Sequence, residues 1–226
     1  MHRLGIRQEI IDRVMARRGR LHWFDRLEPA KTALVVLDMQ STFCAPGAPA
    51  EVPSARDIVA NINRLTSGLR RLECPVIWVL HANTHHHGAS DWQLFFDHVV
   101  AADVRSRTIE SLAPGRQQVW SGLQTAAEDV VLTKNRYSAL VAGSSTLERV
   151  LRNLGIDTML IAGTKTNVCC ESTARDAMML DFKVVLVSDC CAALSDDEHR
   201  ATLETHIQQF GDVASADEAL EWLQRR

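Results

Sequence analysis

Three residues, distant from one another along the chain, are of the types that together perform nucleophilic acyl chemistry: Asp38, Lys134 and Cys169. Asp38 directly follows the apolar run Ala33 to Leu37, and Lys134 directly follows Val130 to Thr133. Cys169 lies seven residues beyond the run Leu160 to Ala162, after Gly163-Thr164-Lys165-Thr166-Asn167-Val168, where it is expected to open a helix. A thiol at a helix N-terminus has its thiolate favoured by the positive end of the helix dipole, and a nearby ammonium favours it further. A carboxylate can take the thiol proton and return it to a leaving amine. Backbone N–H groups in the turn before Cys169 can receive the oxyanion of a tetrahedral intermediate. Taken singly, each residue has a plainer use. Strand-end aspartates cap turns, lysines decorate surfaces, and a buried cysteine is a small inert hydrophobe, the role expected of Cys170, Cys190 and Cys191.

What must position these residues is a set of parallel strands. Residues 32–38, 75–81, 129–133, 157–162 and 183–188 are short β-branched runs without polar alternation, as strands buried on both faces require. Helix-like stretches lie between or after them at 55–73, 144–154, 169–180 and 196–210. In the second of these, Ser144 stands where an N-cap belongs, Leu147, Val150, Leu151 and Leu154 follow at helical spacing, and Gly155 closes the segment. Such alternation predicts right-handed crossovers and an α/β fold with a mostly parallel, doubly wound sheet. Functional residues then collect past the carboxyl ends of the strands, where all three candidates stand. Residues 82–116, with His85, His86, His87, Trp92, Phe95 and Phe96, break the alternation and read as a long loop with a short helix, suited to a lid.

The bulk numbers agree with one globular enzyme-sized unit. With 226 residues, 46% of them hydrophobic, the chain can bury one sizeable core. A formal net charge of −3 supplies no field for nucleic acid or an anionic membrane surface, and no apolar run is long enough to span a bilayer. The six cysteines include the adjacent pairs Cys169-Cys170 and Cys190-Cys191 and no C-x-x-C spacing, which predicts a reduced, cytoplasmic protein. The N-terminal residues, with Arg3, Arg7, Arg13, Arg17 and Arg18, read as an amphipathic helix that turns Ile6, Ile10, Ile11 and Val14 inward and ends at Gly19.

Three segments in order resemble the isochorismatase-like cysteine hydrolases: Leu-Asp-Met-Gln-Ser-Thr-Phe (37–43), Lys-Asn-Arg-Tyr-Ser-Ala-Leu (134–140) and Gly-Thr-Lys-Thr-Asn-Val-Cys-Cys-Glu-Ser-Thr-Ala-Arg-Asp-Ala (163–177). The similarity runs from about Leu27 to the C-terminus, which implies one hydrolase domain over 27–226, preceded by a helix and arm over 1–26. The resemblance implies a three-layer α/β/α fold and a triad of Asp38, Lys134 and Cys169 that works through a covalent thioester. It also implies a cis peptide at Thr164-Lys165, with the N–H groups of Lys165 and Cys169 aimed at the oxyanion. Where the family commonly has a small residue after that bond, this chain has Lys165, whose side chain either points to solvent or an acid, or adds charge to the pocket and favours an anionic substrate. Among subfamilies the motifs look most like the ureidoacrylate and peroxyureidoacrylate amidohydrolases, which implies a small ureido, carbamoyl or amide substrate. Other activities within reach of the resemblance are nicotinamidase, biuret-type and N-carbamoyl amino acid hydrolysis. Vinyl-ether hydrolysis, as in isochorismatase proper, lacks the nucleophilic cysteine. A noncatalytic, redox-responsive binding protein is the alternative from another class. Association into a dimer or tetramer is expected by analogy with the family.

Candidate substrate-binding residues are Phe43, Asn83, Trp92, Tyr137 and Lys165. Tyr137, the single tyrosine, offers either a hydroxyl to a substrate carbonyl or a ring to the cleft wall. Gln40 either orients Asp38 or satisfies loop backbone. His85-His86-His87 with Asp91 invites a metal reading, but consecutive residues of an extended segment point to opposite faces. The Asp-x-His through which nicotinamidases of the superfamily bind their metal has no counterpart here, so no metal and no cofactor are expected.

Overall fold

A computed structural model describes residue 2 and residues 5–225; Met1, Arg3 and Leu4 of the expected N-terminal arm, and Arg226, lie outside the described residues. The elements in order are α1 (Gln8–Arg18), β1 (Thr32–Leu37), α2 (Ser41–Cys44), α3 (Val59–Arg71), β2 (Val76–His81), β3 (His85–His86), β4 (Ala89–Ser90), α4 (Gln93–His98), α5 (Arg105–Ser111), β5 (Val130–Lys134), α6 (Leu147–Asn153), β6 (Thr158–Thr164), α7 (Glu171–Met179), β7 (Lys183–Ala192), α8 (Asp196–Gln209), β8 (Asp212–Ala214) and α9 (Ala216–Gln224). Six strands form one sheet in the order β5-β2-β1-β6-β7-β8, and every pairing in it is parallel.

Strand β1 shows how the sheet separates two layers of core. Leu34 and Val36 face one side with Trp78, Ile62, Leu65 and Leu69 of α3 and Trp222 of α9. Ala33, Val35 and Leu37 face the other, with Ile10 and Val14 of α1 and the inner faces of α6, α7 and α8. Alternate side chains leave opposite faces of a strand, so a central strand covered by helices on both sides has to be apolar throughout, and β1 is wholly buried. The fold is therefore the three-layer α/β/α arrangement with a doubly wound sheet. β2 and β5 lie to one side of β1, and β6, β7 and β8 to the other, so the winding reverses at β1 and β6. That reversal opens the crevice in which α/β enzymes bind ligands.

Element ends depart from expectation where tertiary contact decides. Strand β6 runs on to Thr164 and β7 to Ala192, because their ends still pair with each other (Thr164 with Ala192). The short β8 and the helix α9 after it carry no long apolar run and were not anticipated; β8 is recruited by pairing with β7, and α9 by a capping box at Ser215 and Glu218. Ser144 does not cap α6. That helix begins at Leu147, whose N–H donates to Ser145 Oγ at 3.0 Å, and the Ser144 hydroxyl is buried without a hydrogen-bond partner among the described residues. The lid segment holds a two-stranded hairpin (β3 and β4) and two helices (α4 and α5) rather than a loop with one helix.

Gly163 shows how tightly the strands close beneath the crevice. Its φ is +114°, and a Cβ there would lie 2.1 Å from the carbonyl oxygen of Leu37 in β1. Only glycine takes this conformation and this approach without displacing backbone.

Candidate active site

Asp38 leaves β1 in a left-handed conformation (φ 56°), which turns its carboxylate over the carboxyl edge of the sheet. Lys134 closes β5, and the register that pairs β2 with β5 places it opposite His81. Beyond β6 comes the cis peptide Thr164-Lys165, at the position the family resemblance implies, and then a π-helical turn, Thr166–Cys170, that runs into α7. Cys169 lies inside that turn and does not open the α-helix. The N–H groups of Val168 and Cys170 donate to the Lys165 carbonyl at 3.1 and 3.2 Å.

These three strand ends meet at one point. Lys134 Nζ lies 2.9 Å from Asp38 Oδ2 and donates to Cys169 Sγ at 3.5 Å. It also donates to the Arg136 carbonyl at 3.0 Å and lies 3.2 Å from His81 Nδ1. Asp38 and Lys134 are buried, and Cys169 is 6% exposed at the floor of a cavity. The Asp38 carboxylate also lies within hydrogen-bonding reach of the Cys169 thiol.

The electrostatics correct one expectation. Burial, reinforced by the Asp38 carboxylate, pushes the Cys169 thiol well above its usual range, and the lowering influence of Lys134 does not cancel this. The resting group is a thiol, not a thiolate favoured by helix and ammonium. Burial also raises the Asp38 carboxyl against the pull of Lys134. Burial by itself would lower Lys134, but Asp38 and Cys169 more than offset it, so the lysine remains an ammonium. A carboxylate of raised pKa beside a neutral thiol is a proton acceptor matched to its donor.

Behind Lys134 lies a chain of polar groups that sequence reasoning missed. Burial and the neighbouring ammonium hold His81 neutral. Its Nδ1 therefore accepts from Lys134 while Nε2 donates to Asn83 Oδ1 at 2.8 Å. Asn83 Nδ2 donates to Asp91 Oδ1 at 2.8 Å, and Asp91 also takes the side-chain amide of Asn135 and the N–H of Thr84. A signal for His81 was present: it is the polar residue ending an otherwise apolar buried strand, at the sheet edge that carries Asp38 and Lys134.

The cavity over Cys169 has a volume of about 280 Å³. Phe43, Tyr137 and Lys165 line it, together with His81, Thr164 and Val168. The lid adds Phe95, Val99, Val100, Val104, Thr108 and Leu112 to the wall, and Pro49 and Ala50 after α2 add to it as well. Asn83 and Trp92, expected in the wall, are not in it. Asn83 is fully buried in the chain behind His81. Trp92 stands one layer back, with its ring centroid 4.7 Å from those of Phe95 and Tyr137 and 5.9 Å from that of His81. The Gln40 side chain does not orient the Asp38 carboxylate; its amide pairs with the N–H and C=O of His81 at 2.7 and 3.0 Å. His85 packs edge-on against Phe96 and His86 against His87, and among the described residues no three His, Cys, Asp or Glu side chains group as a metal would need. All six cysteines are unbridged and buried, and no described helix is long and apolar enough to cross a membrane.

Comparison with known proteins agrees with this architecture. The isochorismatase domain model matches residues 32–218, so the chain belongs to the isochorismatase family of hydrolases. A probable inactive nicotinamidase of Arabidopsis thaliana is 31% identical over 76% of this chain and 86% of its own length. A ureidoacrylate amidohydrolase of Pseudomonas savastanoi pv. phaseolicola is 31% identical over 85% of this chain and 84% of its own. Among solved structures, a cysteine hydrolase from Pseudomonas syringae pv. phaseolicola superposes with a TM-score of 0.79 at 30% identity, covering 90% of this chain and 96% of that one.

Proposed function

We propose that the chain is a cysteine-dependent amidohydrolase that cleaves the C–N bond of a small ureido, carbamoyl or amide substrate through a covalent thioester. The observation that carries this reading is the meeting of Asp38, Lys134 and Cys169, with the nucleophile alone of the three reaching the cavity floor. As Sγ attacks the substrate carbonyl carbon, its proton passes to the Asp38 carboxylate, which faces the thiol. Lys134 stays protonated and offsets the charge that develops on sulfur. The N–H groups of Lys165 and Cys169 are the donors that the family resemblance assigns to the oxyanion. Asp38 returns the proton to the leaving nitrogen, the C–N bond breaks, and an S-acyl or S-carbamoyl enzyme remains. Water then attacks this intermediate, giving its proton to Asp38, and the C–S bond breaks to restore the thiol.

Similarity to a ureidoacrylate amidohydrolase supports an open-chain ureide or amide as substrate, and six buried unbridged cysteines suit a reducing, cytoplasmic setting. The reading is tested by measuring ammonia release from ureidoacrylate, N-carbamoyl amino acids, biuret, nicotinamide and simple amides. Cys169→Ala should abolish release from every compound that the wild type cleaves. Release that survives in Cys169→Ala refutes the nucleophile assignment.

A further inference from the structure

Given the amidohydrolase reading, on which this inference rests, the cavity wall narrows the substrate beyond the bond that is broken. Its composition is uneven. The lid and α2 contribute an apolar wall, formed by Phe43, Phe95, Val99, Val104 and Leu112, on the substrate side of Cys169. Among the described residues that line the cavity, Lys165 is the one lysine, and no arginine, aspartate or glutamate stands with it. It is half-buried and has no ion-pair partner among the described residues, whereas Lys134 is committed to Asp38 out of the cavity's reach. A cation in an apolar cleft without a counter-ion is complementary to an anion brought by the ligand. At about 280 Å³ the space sits at the small end for ligand clefts, which run from about 300 to 1,000 Å³. At about 30 Å³ per water it holds on the order of ten non-hydrogen atoms.

We infer that the physiological substrate is an amide or ureide that carries both an anionic group, received by Lys165, and a branched aliphatic or aromatic group of about four or more carbons, received by the wall of Phe43, Phe95, Val99, Val104 and Leu112. A compact planar acid such as ureidoacrylate satisfies Lys165 and leaves the apolar wall in contact with water. A neutral aliphatic amide covers the wall and leaves the lysine unmatched.

Three ureas with the same scissile group separate these requirements: N-carbamoylglycine (anion, no apolar group), N-carbamoylleucine (both) and 3-methylbutylurea (apolar group, no anion). Attack on each releases the amine, leaves an S-carbamoyl enzyme, and ends in carbamate that decays to CO2 and ammonia. Burying one methylene is worth about fourfold in binding. The wall is partly open to solvent, so kcat/KM for N-carbamoylleucine should exceed that for N-carbamoylglycine by at least tenfold. Lys165→Met should raise KM for N-carbamoylleucine at least tenfold more than it raises that for 3-methylbutylurea. Val104→Asn should lower the leucine-to-glycine ratio at least threefold. Equal or better turnover of N-carbamoylglycine or ureidoacrylate overturns the apolar requirement, and an equal KM change for the charged and neutral ureas in Lys165→Met overturns the anionic one; either result leaves the amidohydrolase reading standing. If no amide or ureide is cleaved while Cys169 still reacts with iodoacetamide, the reading itself fails and this inference with it.

Discussion

Replacing Asp38 with asparagine separates two properties that a conventional picture of an activated thiol would couple. In the wild type the carboxylate opposes ionisation of Cys169, while Lys134 favours it. Asp38→Asn removes the opposing charge and keeps the ammonium, which lies 3.5 Å from the sulfur. At an effective dielectric constant of about 20, that ammonium favours the thiolate by about 5 kcal/mol, which corresponds to three to four pK units. Burial still disfavours the thiolate, so only part of this is realised. The thiol should nevertheless become more acidic, and alkylation of Cys169 by iodoacetamide at pH 7 should speed up at least tenfold. Turnover should move the other way. The amide cannot take the proton from the thiol or hand it to the leaving nitrogen, and loss of such a group costs roughly 10²–10⁴ in rate. Asparagine tolerates the left-handed backbone at this position (φ 56°) and keeps the shape of the side chain, so the expected loss of stability stays near 3 kcal/mol. The wild-type pH profile supplies a companion measurement. Asp38 must be ionised to act and burial raises its pKa, so kcat/KM should fall, as pH drops, at a point above the ordinary carboxylate range. Alkylation that slows in step with turnover in Asp38→Asn would refute the charge arrangement.

Two further predictions concern the frame that carries the site. Gly163→Ala places a methyl group 2.1 Å from the Leu37 carbonyl at a φ of +114°, so β1 and β6 would have to part directly beneath Asp38. The expected cost is on the order of 3 kcal/mol or more, read as a drop in Tm of about 6–12 °C; an unchanged Tm contradicts the close approach. His206 in α8 is buried and is held down to a pKa of about 3, by burial first and against the raising influence of the Val184 backbone. Below pH 6.5 the unfolded chain takes up a proton that the folded protein refuses, so stability falls as pH drops, by about 2 kcal/mol from this one group at pH 5. In His206→Leu the loss of unfolding free energy between pH 7 and pH 5 should shrink by that amount, and an identical loss in both proteins counts against it.

The fold class was legible because each of the five expected strands is a local run of apolar residues with a length and boundaries of its own. Asp38 and Lys134 stood out because they end such runs, and the turn around Cys169 because of its Gly-Thr-x-Thr-Asn-Val pattern. What escaped notice was set by partners distant in sequence. β8 is only three residues long and exists by pairing with β7. Asn83 has the polarity of a substrate-binding residue, and it was the buried His81 and the half-buried Asp91 beside it that claimed its hydrogen bonds. Trp92 has the size of a pocket wall, yet Phe95 occupies the cavity face and Trp92 packs behind it.

By itself, then, the sequence determined the chain order of the five long strands and the edge of the sheet at which chemistry is placed. These follow from residue type, run length and spacing along the chain, which are local quantities. Only the tertiary structure decided that Cys169 rests as a thiol, that His81 completes the surroundings of Lys134, and that an apolar wall faces a lone lysine across the cavity. Each of these depends on burial or on a charge brought close through space, and the energy of a charged group is governed by distances and desolvation that exist only once the chain has packed.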